Sequence, residues 1–264
     1  MKIVRCIDGS QRALNVEHIS FRSNDDMEVR LVDFMGDDPS VVEAARVSTH
    51  QGLKGEEKDR ALIAYLAEND HMTPFEHVVV KLYIKCPLCI AVQILRHRTF
   101  SYNMLSRRYT SRNISFFIPT VLRTQNKKGN LQGSSGELDG DASKELLNEI
   151  QYFYKEARLL YKKLINMGVA REQARFVLPQ GVFTEFYMTG NLRNFMHFVE
   201  LRLDVHAQME AQWIAMSVLK VLFSIAPVSV SYLFKRVRSR LTLSDPVHSQ
   251  MRDLIARMEK EVMR

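Results

Sequence analysis

The segment from residue 77 to residue 97 constrains the fold most, because it places two buried elements directly one after the other. Its first part, HVVVKLYIKC (77–86), is rich in β-branched and aromatic residues and predicts a strand. Its second part, PLCIAVQILRH (87–97), opens with a proline, which is favoured in the first turn of a helix. Gln93 is the lone polar residue inside that apolar run. The segment therefore predicts a strand that passes at once into a mostly buried helix.

An arginine-rich stretch, ILRHRTFSYNMLSRRYTSRN (94–113), holds five arginines and one histidine where this helix ends. The chain has no GxGxxG motif or Walker loop that could hold a phosphate on glycine amides. Guanidinium groups can do so instead, because their planar fork pairs with phosphate and stacks on flat rings. Arg96, His97 and Arg98 point about 100° apart at the helix end, so they can contact different parts of one nucleotide-like ligand.

The same stretch is open to a second interpretation. Phe100, Tyr102 and Tyr109 lie between the cations, and basic runs with interleaved aromatic residues are typical of nucleic-acid surfaces. The formal net charge of +7 favours anionic partners without distinguishing among them. The position of the stretch argues against a nucleic-acid surface. It emerges from a buried helix and alternates with Ser101 and Ser106, as the wall of a pocket would.

The remaining patterns predict an α+β fold. Strands are predicted at 28–35 and 181–190, and helices at 38–51, 56–69, 143–168, 171–179 and 191–213, with further packing helices towards the end of the chain. No repeated βαβ phasing occurs, so we expect a single mixed domain over 1–264 with a central, largely antiparallel sheet and surrounding helices.

Two segments stand apart from this pattern. Residues 1–26 form an N-terminal extension that precedes the first predicted strand. Residues 123–143 carry only two large apolar side chains among Gly, Ser, Asn, Asp and charged residues, so they cannot build core. A mobile surface loop is the expectation for 123–143, with a lid as the alternative.

The predicted helix NLRNFMHFVELRLDVHAQMEAQW (191–213) carries an arginine on its apolar side. Asn191 is its expected N-cap. At about 100° per residue, Arg202 and His206 project towards the face formed by its large apolar side chains. An inward arginine is costly to desolvate, so Arg202 needs either a buried carboxylate or a bound anionic or polar ligand. The helix alone leaves both possibilities open.

Cysteine usage and hydropathy bear on cofactors and location. Cys86 and Cys89 form a CxxC with strongly apolar flanks, and neither a second CxxC nor a ligand-spaced histidine pair completes a zinc site. Two small buried thiols at a strand-to-helix junction are expected, and no metal. The start of the chain lacks an apolar stretch long enough for a signal peptide, and no run reaches membrane-span length. These features favour a cytoplasmic protein without a membrane partner.

The motif RHRTFSYNMLSRRY resembles the RHR-x7-S signature of the flavin-dependent thymidylate synthases, with Arg96, His97, Arg98 and Ser106 in place. Four further blocks resemble that family in its order: AARVS (44–48), HMTPFEH (71–77), ARFVLP (174–179) and NLRNFMHFVELRLDVHAQ (191–208). The resemblance implies that dUMP, 5,10-methylenetetrahydrofolate and NADPH are converted to dTMP, with FAD carrying the hydride. It also implies a homotetramer with active sites shared between subunits, and no nucleic acid as partner.

The resemblance further implies roles for individual residues. Arg202 is the expected catalytic residue, since negative charge develops on the uracil ring and a placed guanidinium stabilises it. The residues expected to bind dUMP are Gln93, Arg96, Met104, Leu105, Ser106, Arg108, Arg175 and Arg202. Those expected to bind FAD are Thr73, Glu76, Arg96, His97, Arg98, Asn191, Arg193 and His197. Those expected near flavin and folate are His71, Tyr109 and His206.

Two residues depart from the family's pattern, and one invites a different mechanism. Met104 stands where many members carry glutamate, and His197 replaces an asparagine found in some relatives. The histidine ring can still donate to a flavin carbonyl or ring nitrogen. Ser106 could be considered as a nucleophile, but no histidine or carboxylate lies near it in the motif to act as a base. A hydrogen bond from Ser106 to the dUMP phosphate is the expected role.

Overall fold

The computed structural model describes residues 1–126 and 133–264. The strands in these ranges are β1 Lys2–Arg5, β2 Gln11–Leu14, β3 Ser20–Arg22, β4 Glu28–Met35, β5 Val79–Pro87, β6 Ser101–Met104, β7 Arg123–Gln125, β8 Ser134–Glu137 and β9 Phe183–Asn191. The helices are α1 Asp38–Arg46, α2 Glu56–Glu68, α3 Leu88–Ile94, α4 Gly140–Asn166, α5 Arg171–Ala174, α6 Leu192–Leu203, α7 Met209–Ile225, α8 Pro227–Arg238 and α9 Asp245–Met263.

An antiparallel five-stranded sheet in the order β3-β4-β5-β9-β6 forms the centre of the fold. Strand β5 shows the alternation of a half-buried strand, since Val80, Leu82 and Ile84 are fully buried while the residues between them are partly exposed. Helices α3, α6 and α7 pack against the sheet, and their apolar side chains join those of the strands in a hydrophobic core. The predicted α+β class is confirmed.

The junction between β5 and α3 is built as the sequence predicts. Pro87 ends the strand and precedes Leu88, the first residue of the helix. The first amides of α3 donate to the residues just before β9, Leu88 to the carbonyl oxygen of Val182 at 2.9 Å and Cys89 to that of Gln180 at 3.2 Å. Burial raises the pKa of both CxxC thiols. The strand thus fixes the position of α3. The arginine-rich stretch that follows α3 is placed in the same way.

Residues 1–26 are part of the folded structure. Strands β1 and β2 form a hairpin, and β3 extends the central sheet beside β4. Arg5 links the hairpin to α1 through hydrogen bonds to Asp37 and Glu43. Among the described helices, none is long and apolar enough to cross a membrane.

Two predicted elements were wrong in part. In the segment 123–143, β7 pairs with β8 and α4 begins at Gly140, so its flanks are regular structure; residues 127–132 of the predicted mobile loop lie outside the described residues. The helix predicted for 191–213 is interrupted, since α6 ends at Leu203 and α7 begins at Met209. The Asp204 carboxylate accepts from the amides of His206 and Thr242, which holds the chain out of a helical path.

Asp38, the first residue of α1, links this helix to the start of α8. Its buried carboxylate accepts from the amides of Val228 at 3.0 Å and Ser229 at 2.7 Å, the first turn of α8. It therefore caps a helix that lies 190 residues further along the chain. Burial raises the pKa of Asp38 from 3.8 to about 6.

This shift predicts a dependence of stability on pH. Because the folded state holds a proton on Asp38 that the unfolded state releases above 3.8, the free energy of unfolding should fall as pH rises towards about 6. The Asp38→Asn variant keeps an oxygen acceptor but cannot titrate, so this decline should be clearly smaller in urea titrations between pH 4 and pH 7, where Asp25, whose pKa burial also raises, still contributes. Asp37→Asn is the control, because hydrogen bonds from Arg5 and Ser40 outweigh desolvation and lower the pKa of Asp37. An undiminished decline in Asp38→Asn would contradict this assignment.

Candidate functional site

Arg202 lies at the centre of the first of two polar clusters. It projects inward from the last turn of α6 and is partly buried. Its Nε donates to Nε2 of His97 at 3.0 Å, and its Nη2 donates to the carbonyl oxygen of Gln93 at 3.1 Å. Two of its nitrogens are thus anchored on the end of α3. Across residues 1–126 and 133–264, its Nη1 donates no hydrogen bond to the protein.

The partners of Arg202 decide between the two possibilities that the sequence left open. No carboxylate lies within ion-pair distance of this guanidinium in the part of the chain that the structure describes, so the buried ion pair is not formed there. Desolvation and the positive charge of Arg96 lower the pKa of Arg202. A half-buried cation beside a second cation favours a bound anionic or polar ligand.

His97 is held neutral beside this arginine. Burial lowers its pKa to about 4, and the charges of Arg202 and His197 act in the same direction. Because its Nε2 accepts from Arg202, the ring proton is assigned to Nδ1. The ring lies edge-on to Phe198 with centroids 5.0 Å apart, and Tyr102 donates its hydroxyl to the carbonyl oxygens of Ile94 and His97 at 3.0 Å. These contacts fix the orientation of the arginine-rich stretch.

The other residues expected at the flavin lie around this cluster, which we call the α6 cluster. Asn191 ends β9 and caps α6 by accepting from the amide of Asn194 at 2.9 Å. Arg193 pairs with Glu76 at 2.5 Å, joining the first turn of α6 to the short 3-10 helix Thr73–His77. The members of the α6 cluster are Thr73, Glu76, Gln93, Arg96, His97, Arg98, Asn191, Arg193, His197 and Arg202.

The backbone of β9 and the arginine-rich stretch pack closely together at this cluster. The ring of Phe100 lies against Gly190, where an added Cβ would be 2.3 Å from the ring. Arg96 and Arg98 are exposed on either side of buried His97. His71 is also exposed and lies edge-on to Tyr65, with ring centroids 5.6 Å apart.

The second cluster, which we call the Ser106 cleft, lies at the other end of β6. It has a volume of about 200 Å³. The amide of Leu105 donates to the carbonyl oxygen of Glu185 at 2.8 Å, which continues the pairing of β6 with β9. The residues that line the cleft are Leu88, Met104, Leu105, Ser106, Arg107, Arg175, Leu178, Val182, Phe183 and Thr184.

Three of the predicted residues at or near this cleft are Arg108, Arg175 and Tyr109. Arg108 follows Ser106 in a turn and approaches Glu172, with Nε and Oε2 3.7 Å apart. Arg175 donates its Nε to the carbonyl oxygen of Glu172 at 3.3 Å. Tyr109 is 79% exposed. The structure therefore divides the expected dUMP residues, with Gln93, Arg96 and Arg202 in the α6 cluster and the others at the Ser106 cleft. Along the chain, the four residues of β6, a length of about 10 Å, lie between Arg96 and Ser106.

His206 does not project inward as predicted. It lies in the link between α6 and α7, is exposed, and its Nδ1 is 2.5 Å from Asp204 Oδ1. Sequence analysis also missed Gln208, whose Oε1 accepts from Gln93 Nε2 at 2.7 Å, and the role of Arg107 in the cleft. Gln208 gave no signal in the sequence, since its contact depends on where the helix breaks.

A larger cavity of about 1140 Å³ lies elsewhere, between residues 22–27, 119–123, 134–137, 205–213 and 243–250. Its two arginines are paired with carboxylates, Arg123 with Glu210 at 2.8 Å and Arg22 with Glu28 at 3.2 Å. The cations of this cavity are therefore already neutralised. The two arginine clusters are better suited to an anionic ligand.

The two arginine clusters on this fold suit an anionic ligand, and the sequence has no glycine-rich phosphate loop. The family described as "Thymidylate synthase complementing protein" matches residues 30–228. The flavin-dependent thymidylate synthase of Kosmotoga olearia is 45% identical over 201 residues, which are 76% of this chain and 87% of that one. That of Thermosipho melanesiensis is 42% identical over 206 residues, covering 77% and 88%.

A solved structure agrees with these relatives. The UMP/dUMP methylase PolB from Streptomyces cacaoi, in its complex with 5-Br dUMP, superposes with a TM-score of 0.73 at 32% identity, covering 81% of this chain and 96% of that one. The chain belongs to the flavin-dependent thymidylate synthase family. The resemblance that the RHR-x7-S motif indicates is confirmed.

The geometry predicts an unusual titration for His97. In the wild-type protein its ring should stay neutral until the pH falls to about 4, because burial and the Arg202 charge both oppose protonation. In Arg202→Gln the pKa should rise, but should stay below 6.5 because burial remains. Histidine ring signals followed by NMR against pH measure this directly.

Arg240→Gln is the matched control for that titration, because Arg240 is an exposed arginine that pairs with Glu200 on another face of α6. It should leave the His97 titration unchanged. A wild-type His97 that titrates near 6.5 would contradict the contact with Arg202.

Proposed function

We propose that this chain converts dUMP to dTMP, with 5,10-methylenetetrahydrofolate as one-carbon donor, NADPH as reductant and FAD as bound cofactor. One observation carries the proposal. Across residues 1–126 and 133–264, five arginines of the two clusters have no carboxylate within ion-pair distance: Arg96, Arg98, Arg107, Arg175 and Arg202. Cations left without counter-ions at two adjacent clusters suit the phosphates and the electron-rich pyrimidine of nucleotides.

The α6 cluster suits FAD. Exposed Arg96 and Arg98 offer cationic donors to a diphosphate, and Arg193 keeps donors beyond the one that pairs with Glu76. The exposed imidazole of His197 and the oxygens of Thr73 and Asn191 can bond polar edges of a flavin. When bound, FAD supplies the hydride that the methylation requires. The protein residues hold and orient the cofactor.

Arg202 is proposed to act on the pyrimidine. Uracil must become electron-rich at carbon-5 before it can attack a one-carbon unit, and in that form negative charge builds on the ring nitrogen-3 and the carbonyl oxygens. The guanidinium is fixed by His97 and the Gln93 carbonyl, and its Nη1 remains available as a donor. Because the donor is preorganised and partly shielded from water, it can stabilise this charge as it develops.

The Ser106 cleft is proposed to hold the phosphate of dUMP through Ser106, Arg108 and Arg175, with Met104 and Leu105 as its neighbours. The Ser106 hydroxyl accepts from the amide of Arg108 at 3.3 Å. No histidine or carboxylate bonds to Ser106 in the described parts of the chain, which supports a binding role over a nucleophilic one. Cys89 does not suit the nucleophile either, since burial raises the pKa of its thiol.

We further propose that the active sites are shared between subunits of a homotetramer, as the resemblance implies. Large side chains close in sequence to residues of the Ser106 cleft face solvent in the single chain, with Tyr109 79% and Phe176 78% exposed. Helix α4 also carries exposed apolar side chains at intervals of seven residues, Leu146, Phe153 and Leu160, and Met167 continues this row directly after the helix. Such surfaces are typical of subunit contacts. His71, Tyr109 and His206 are proposed to lie near flavin and folate in that assembly.

The basic nucleic-acid-binding protein without flavin is the alternative class. It would require the arginines to form an exposed stripe, whereas Arg202 is partly buried and Arg107 is only half-exposed. We propose one catalytic domain over 1–264 and a cytoplasmic location. The three free cysteines, Cys6, Cys86 and Cys89, are consistent with a reducing compartment.

The experiment is release of tritium from [5-³H]dUMP with 5,10-methylenetetrahydrofolate, FAD and NADPH supplied, on purified protein whose flavin absorbance is recorded first. Wild-type protein should be yellow and release tritium. Arg202→Ala should retain the fold and lose about 10²-fold or more of the turnover, since one transition-state donor is removed. Arg240→Ala is the matched control and should be close to wild type.

Colourless protein that shows no spectral change on titration with FAD would reject the cofactor. Near-normal turnover in Arg202→Ala would remove Arg202 from the mechanism. Strongly salt-dependent binding to long DNA or RNA, without flavin, would favour the nucleic-acid alternative instead.

A further inference from the structure

Arg107 is a half-buried cation whose contacts are all to backbone oxygens. Its Nη1 donates to the carbonyl oxygen of Arg112 at 2.6 Å. Its Nη2 lies 3.2 Å from the carbonyl oxygen of Asn113 and 3.4 Å from that of Phe183. One guanidinium thus joins both ends of a turn, 107–113, to the first residue of β9.

Among the residues that the structure describes, no carboxylate lies within ion-pair distance of the Arg107 guanidinium, and the nearby charge of Glu185 offsets the desolvation of this cation only in part. Desolvation lowers its pKa, which shows that its surroundings disfavour the charge. Burying a cation without a carboxylate costs free energy, and the carbonyl oxygens recover part of it. An arginine retained under these conditions is best explained by what its hydrogen bonds hold in place.

Those bonds hold a loop that, among the described residues, is otherwise attached by an exposed ion pair between Arg108 and Glu172 and by backbone hydrogen bonds at its two ends. At the first end, the amide of Leu105 donates to the carbonyl oxygen of Glu185 at 2.8 Å. At the second end, the amide of Phe183 donates to the carbonyl oxygen of Ser115 at 2.9 Å. Between them the chain leaves the sheet.

One residue of this loop has an unfavourable backbone conformation. Asn113 has a φ of 53°, in the left-handed region that asparagine tolerates better than most residues. Its carbonyl oxygen accepts from Arg107, so the same guanidinium stabilises the conformation that closes the loop. The fork of an arginine can bond several carbonyls at once, and a lysine ammonium cannot reproduce that planar geometry.

The loop carries two of the residues that are proposed to bind the dUMP phosphate, Ser106 and Arg108. Ser106 and Arg107 line the Ser106 cleft, and Arg108 comes next in the same turn. The amide of Tyr109 donates to the carbonyl oxygen of Ser106 at 3.0 Å, which makes the turn tight. A change in how Arg107 anchors the loop must therefore move Ser106 and Arg108.

We propose that Arg107 is a positioning residue for dUMP, acting through the loop 106–113 on the groups that bind the phosphate. This inference rests on the proposed function, since it assumes that the Ser106 cleft binds the nucleotide phosphate. Arg107 fixes the loop by its fork, and its positive charge alone is not sufficient. FAD binding, which belongs to the α6 cluster, is independent of it.

The test is calorimetric titration of flavin-loaded protein with dUMP, and with deoxyuridine, which lacks the phosphate. Arg107→Ala should bind dUMP about tenfold or more weakly and deoxyuridine nearly as well as wild type does. Arg107→Lys keeps the charge and most of the volume, so it should fold, yet it should show a similar loss because the fork is missing. Flavin content should be unchanged in both.

Arg112→Ala is the matched control. It removes one exposed positive charge from the same loop while keeping the carbonyl oxygen that Arg107 uses. We expect its affinity for dUMP to stay within about twofold of wild type. A comparable loss in Arg112→Ala, or full rescue by Arg107→Lys, would mean that charge and not position is responsible, and would overturn the inference.

Two further outcomes are distinguishable. Unchanged dUMP affinity in both Arg107 variants, with wild type binding normally, would overturn the inference and leave the proposed function intact. Wild-type protein that binds flavin but no dUMP would overturn the proposed function itself, and the inference with it.

Discussion

The anchoring of Arg202 between His97 and the carbonyl oxygen of Gln93 is the interaction on which the site depends. It joins the end of α3 to the end of α6 without a carboxylate in the described chain. The histidine must be neutral to accept this hydrogen bond, and burial keeps it so. A guanidinium fixed in this way keeps its charge for a ligand, which an ion pair would neutralise.

The rest of the fold determines where Arg202 and His97 lie. The strand-to-helix junction at Pro87 sets the position of α3, and the cap at Asn191 sets the start of α6 directly after β9. Both helices therefore begin from neighbouring strands of one sheet. The Ser106 cleft is fixed to the same sheet from the other end of β6, so the strands determine the spacing of the two arginine clusters.

Local patterns in the sequence were sufficient for these elements. The β-branched run before Pro87 and the N-cap before Leu192 each depend on residues close together in the chain, and both were predicted correctly. The break after Leu203 could not be predicted, because Asp204 bonds the amide of Thr242, 38 residues away. The same limit hid the role of Arg107, whose acceptors include a carbonyl of β9. The roles of the candidate site residues stay predictions from the family resemblance.

A crystal structure of the assembled protein with dUMP and FAD tests the central claim most directly. We expect Arg202 Nη1 about 3 Å from a pyrimidine oxygen or nitrogen, with its contacts to His97 and Gln93 kept and the dUMP phosphate at Ser106 and Arg175. A carboxylate of a neighbouring subunit paired with Arg202, and dUMP bound elsewhere, would contradict the account.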